Sequence, residues 1–109
     1  MIKVKLMEDG NNVKKISIKG HALYDDYGKD IVCAAVSSAV ITSINIALSL
    51  DSESLKYEDK NGLDIEILKN DKVTNTIINV MISNLKELSN AYPKNIQIKE
   101  ENNNEINGI

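Results

Sequence analysis

The chain of 109 residues has no tryptophan, no phenylalanine and no arginine; it has one cysteine, one histidine and one proline. Each scarcity removes a class of explanation. A lone cysteine cannot close an internal disulfide or supply a thiolate metal cage, so Cys33 is expected to be a thiol in a reducing compartment, the cytoplasm. The start MIKVKLMEDG lacks the basic-then-apolar order of a secretory leader. All thirteen basic residues are lysines, and sixteen acids outweigh them to a net charge of -3. Nucleic-acid binders favour a basic face and arginine forks on phosphate, so no direct nucleic-acid partner is expected. Apolar runs are diluted by Ser, Thr and Asn, and no membrane span is expected.

What is present is the patterning of one small domain. Ile2, Val4 and Leu6 alternate with lysines, Asp9 to Asn12 reads as a turn, and Ile16 and Ile18 alternate again, which predicts a hairpin ending near Gly20. A polar loop from His21 to Lys29 follows. Ile31 to Leu50 is apolar on nearly every side and predicts a central, mostly buried helix with Asp30 as N-cap. Leu55 and Tyr57, then Leu63, Ile65 and Ile67, alternate around Asn61-Gly62 and predict a second hairpin. Val73, Ile77, Val80, Met81, Leu85 and Leu88 predict the inner face of a second helix, Lys72 to Ala91, capped by Asp71 and stopped before Pro93. Ile96 and Ile98 make a last strand. The expected fold is α+β in the order ββαββαβ, a mainly antiparallel sheet packed against two long helices, with residues 1–99 as one domain and 100–109 as a polar, flexible tail.

Chemistry has few places to sit. Cys33 falls in the first turn of the predicted helix, where unpartnered N–H groups and the helix dipole favour a thiolate and can hold an oxyanion. His21, at the exit of the second strand, is the chain's one imidazole and so its natural proton carrier near neutral pH. Plainer readings stand beside these: a cysteine opening an alanine-rich run is often core packing, and a loop histidine is often a solvated group. Asp25, Asp26 and Asp30 lack the spacing of a calcium loop, and no metal is expected. Tyr24 and Tyr27 fit surface packing or a substrate wall. Ser37 lies one helical turn after Cys33, on the same face.

The stretch GHALYDDYGKDIVCAAVSSAV, from Gly20 to Val40, resembles the signature of the ribosomal-processing cysteine protease (Prp) family: Gly-His-Ala, a short loop with a second glycine, then Asp-Ile-Val-Cys-Ala and a helix of small residues. The resemblance implies this same α+β arrangement in a homodimer. It implies a cysteine endopeptidase that removes the N-terminal extension of a large-subunit ribosomal protein, after an aromatic or otherwise hydrophobic motif and without a cofactor. Residue by residue, it implies Cys33 as nucleophile, His21 as general base and then acid, Asp30 and Ser37 in support, and Gly20 and Gly28 bounding a mobile loop. That loop joins the strand end at His21 to the helix of Cys33, so it is expected to close over a bound peptide, with Tyr24 and Tyr27 contacting the hydrophobic residues before the scissile bond. A non-catalytic ribosome-associated peptide-binding protein is the alternative expectation.

Overall fold

A computed structural model describes residues 1–20 and 30–102 of the chain. The elements run β1 (Ile2–Asp9), β2 (Asn12–Lys19), α1 (Asp30–Leu50), β3 (Leu55–Asp59), β4 (Leu63–Ile67), α2 (Lys72–Ala91) and β5 (Ile96–Asn102), the expected ββαββαβ order. The sheet order is β3-β4-β2-β1-β5. Every neighbouring pair is antiparallel except β1 and β5, which run parallel, because α2 carries the chain back across the sheet before β5 begins.

Strand alternation decides which face is covered. Ile2, Val4, Leu6, Ile16, Ile18 and Ile65 are each about 1% exposed, while Lys3, Lys5, Lys15 and Lys19 between them lie in water. Both helices pack on the apolar face. α1 contributes Val32, Val36, Val40, Ile44 and Ala47, and α2 contributes Ile78, Met81, Ile82 and Leu85. Asp71 caps α2 as expected, its carboxylate accepting from the Thr74 N–H at 2.8 Å, and the helix closes at Tyr92 ahead of Pro93.

Four expectations are corrected. α1 is not buried all round: Ile31, Ile41, Ile46 and Leu50 are 46% or more exposed, because two helices cannot enclose each other and the sheet at once. By length and apolar composition alone Ile31–Leu50 suffices to cross a bilayer, despite its polar dilution. The inner face of α2 is turned from the expected one: Val73 and Val80 are exposed, while Thr74, Ile78 and Ile82 point inward with Met81 and Leu85. Finally, the polar segment after residue 99 is not all tail. β5 continues to Asn102, because pairing with Lys5 to Glu8 of β1 satisfies its backbone whatever its side chains, and Lys5 meets Glu101 at 3.5 Å.

Candidate active site

The ends of β2 and α1 frame the site. β2 terminates at Gly20, whose φ is +77°, and a Cβ built there would overlap the Met1 carbonyl oxygen. Glycine alone fits this crossing of the chain's start, so the direction in which the backbone leaves for residue 21 is set by Gly20. His21, Tyr24, Tyr27 and Gly28 lie outside the described residues. The helix begins at Asp30 itself, one residue earlier than expected, and the Asp30 side chain also lies outside what is described.

Cys33 stands in the first turn of α1, half-buried and packed against the edge of the core. The N–H groups that open a helix have no carbonyl partner within it, so the turn leading into Cys33 is where an oxyanion forming at a carbonyl carbon beside the sulfur would find donors. Ser37 follows one turn on, also half-buried. Cys33 and Ser37 are thus brought onto one flank of α1, as the spacing implied.

That flank does not face the centre of the sheet. At Ser37 it borders a cavity of about 310 Å³ between α1 and the β3–β4 hairpin. Val36, Val40 and Ile44 form its floor on the helix side, with Ile18 and Leu63 on the sheet. Ile18 and Leu63 are cross-strand partners, and Asp59 pairs with Leu63, so the hairpin end stands next to the end of β2 that leads to residue 21. Gly62, at φ +109°, makes this close approach possible, since a Cβ there would come within 2.7 Å of the Ile18 carbonyl oxygen. A broader depression of about 470 Å³ lies on the other face of the sheet among Lys15, Lys56, Glu58, Asp64 and Glu66, away from Cys33 and laced by the Lys56–Glu66 pair at 3.4 Å.

The sequence reading missed the hairpin's part in this. Tyr57 read only as strand alternation and Asp59 was not singled out, although extending the four-residue step from Cys33 and Ser37 to Ile41 and Asn45 would have marked one row along α1. Among the described residues no cluster of His, Cys, Asp and Glu has the arrangement to hold a metal ion.

A thiol in the first turn of a helix, one turn before a serine that lines an apolar groove, has the layout of a thiol-dependent acyl-transfer enzyme. Comparison with known proteins gives that class its family. The model of the family described as cysteine protease Prp matches residues 1–97. The ribosomal processing cysteine protease Prp of Staphylococcus aureus is 31% identical over 96 residues, covering 84% of this chain and 91% of the relative. Its counterpart in Mycoplasma genitalium is 34% identical over 86 residues, covering 76% and 84%. The S. aureus protease solved with a substrate peptide superposes with a TM-score of 0.84 at 25% identity, over 93% of this chain and all of that one. The same protease solved with a covalently linked product peptide gives 0.83 at 26% identity. The chain belongs to the cysteine protease Prp family, and it is a hydrolase of the cysteine protease class.

Proposed function

We propose that this protein is the cytoplasmic endopeptidase that removes the N-terminal extension of a large-subunit ribosomal protein, with Cys33 as nucleophile and His21 as its proton partner. The observation that carries the reading is the position of Cys33, in the first turn of α1 and one helical turn before Ser37, which lines an apolar groove, inside a motif shared with the family. The Cys33 sulfur attacks the scissile carbonyl carbon, and first-turn N–H groups hold the oxyanion. His21 takes the Cys33 proton as the sulfur attacks and gives it to the leaving amine as the C–N bond breaks. Water then attacks the thioester and gives a proton to His21, which passes it to the departing sulfur as the acid product is released. A covalently linked product peptide in the S. aureus relative supports a covalent route. Asp30 and Ser37 support this pair from the first turns of α1, and Gly20 sets the approach to His21.

The exposed Ile31, Ile46 and Leu50 on α1 leave apolar surface for a second copy, and the active form is a homodimer in this reading. The test is incubation of the protein with a synthetic peptide spanning the extension and its junction, read by mass spectrometry. One cut after a hydrophobic motif is expected. Iodoacetamide should modify Cys33 faster near pH 6 to 7 than it modifies a cysteine in a short peptide. An uncut peptide together with a slow thiol favours the non-catalytic peptide-binding alternative.

A further inference from the structure

Resting on the reading of Cys33 as nucleophile, we propose that the groove between α1 and the β3–β4 hairpin anchors the substrate. It takes one large apolar side chain about three or four residues from the scissile bond, with a basic side chain of the same peptide meeting Asp59. Side chains four apart on a helix are neighbours at about 5–6 Å, each turned about 40° from the last, so Cys33, Ser37, Ile41 and Asn45 form one slowly winding row. The last three of these line the cavity, which makes the groove the continuation of the thiol's own flank. Cys33 to Ile41 is about 12 Å along a helix axis, the span of about three or four residues of extended peptide. The opposite wall is Tyr57, Asp59 and Leu63.

Ile41 is 55% exposed and Tyr57 53%, yet both face the groove, so their apolar surface is not spent on the fold. About 310 Å³ is at the small end of ligand pockets and suits one large side chain rather than a whole peptide. Asp59 is the one charged residue in the lining, and it makes no ion pair among the described residues, so the electrostatics of the groove favour a cation. A carboxylate without an ion pair among the described residues, beside uncovered apolar surface on the row that starts at Cys33, suits a peptide carrying one apolar and one basic side chain. The peptide is therefore the occupant.

The test separates anchoring from cleavage. A fluorescein-labelled peptide of the ribosomal protein's extension and junction is titrated by anisotropy into Cys33→Ala and into Cys33→Ala carrying Ile41→Lys or Asp59→Lys. Both extra substitutions fall on exposed positions, and matching circular dichroism melts check the fold. Ile41→Lys is expected to weaken binding about tenfold or more, the scale on which apolar pockets discriminate. With a peptide whose basic residues are changed one at a time to Glu, one position should recover binding to the Asp59→Lys variant. In the Cys33 background the same substitutions should raise KM while leaving kcat within about twofold. Unchanged affinity in Ile41→Lys, or no charge-swapped peptide recovering Asp59→Lys, overturns the proposal. Groove-dependent binding without any cut by the Cys33 protein overturns the protease reading instead and leaves the groove standing.

Discussion

The two helices lie on the same face of one sheet and are nearly equal in length, but they are finished differently. α2 is capped at its start and packed through Met81 and Leu85, both 0% exposed, and it turns Asn79, Ser83, Asn84, Lys86, Glu87 and Asn90 to water. α1 has no charged residue from Ile31 to Leu50, and its outer surface carries Ile31, Ala34, Ile41, Ile46 and Leu50. Burial of α2 accounts for most of its apolar residues, Val73 and Val80 excepted. Burial of α1 does not, and the surplus lies along the flank that begins at Cys33 and on the surface beyond it. A domain that leaves apolar area uncovered commonly uses it for contacts outside its own fold. Both helices feed the core, and the reading proposed above gives α1 the further task of recognition.

The sharpest way to break this assignment is at the start of α1. Cys33→Ala is expected to abolish peptide cleavage while the melting temperature moves by no more than a few degrees, because the side chain is small and only half-buried. Full activity in the folded variant would leave α1 a packing helix like α2. The converse substitution, Leu85→Ala, should cost about 2–5 kcal/mol in urea unfolding, since it opens a void in the core. The kcat/KM of the folded fraction should stay within about twofold of the parent. A variant that kept its stability but lost cleavage would invert the comparison. Between these two lies Gly20→Ala, which forces a side chain into positive φ and against the Met1 carbonyl. About 1–3 kcal/mol of destabilisation is expected, together with reduced cleavage from displacement of the chain entering residue 21.

The same contrast explains what could be read before any coordinates. Strands were legible because alternation is a local property: Ile16 and Ile18 between lysines have one way to face a core. The rotation of α2 was not legible. Its apolar residues span an arc from Val80 through Met81 to Ile82, wider than the sheet's footprint, and the position of α1 alongside decides which half is covered. β5 ran past its expected end because the parallel register with β1 is a long-range fact invisible in KEEN. At the site, Cys33 and Ser37 were legible from helix spacing and the shared motif. Tyr57 and Asp59 were not, because they reach the flank of α1 only after the chain has turned through Asp51 to Ser54 and climbed β3.

The smallest expected effect lies where α1 ends and α2 begins, and it is a pH dependence. Lys69 donates to Asp51 at 2.6 Å, and the Glu53 N–H donates to the same carboxylate at 3.0 Å. The hydrogen bond from Lys69 is the main cause holding Asp51 below its ordinary range, and the N–H of Thr74 does the same for Asp71. Lys69 is raised in turn, chiefly by its hydrogen bond to Asp51. Lowered carboxylates contribute stability that is fully present above their unfolded value of about 3.9 and is lost as pH falls through the lower folded one. The raised lysine contributes below its unfolded value of about 10.4, and that part is lost as pH rises through the higher folded one. The urea midpoint should therefore be level from about pH 5 to 9 and fall on either side. All three groups are open to solvent, so the Asp51–Lys69 part should shrink in 1 M salt, whereas the Asp71 cap, a bond to backbone, should persist. Asp51→Asn should lower the midpoint at neutral pH and flatten both its acid and alkaline limbs; Asp71→Asn should flatten only the acid one. Acid and alkaline limbs unchanged in Asp51→Asn would mean that the joint between the helices is held by the buried Ser54, which donates to the Ala47 carbonyl at 3.2 Å and whose own carbonyl accepts from the Leu68 N–H, rather than by the charges around it.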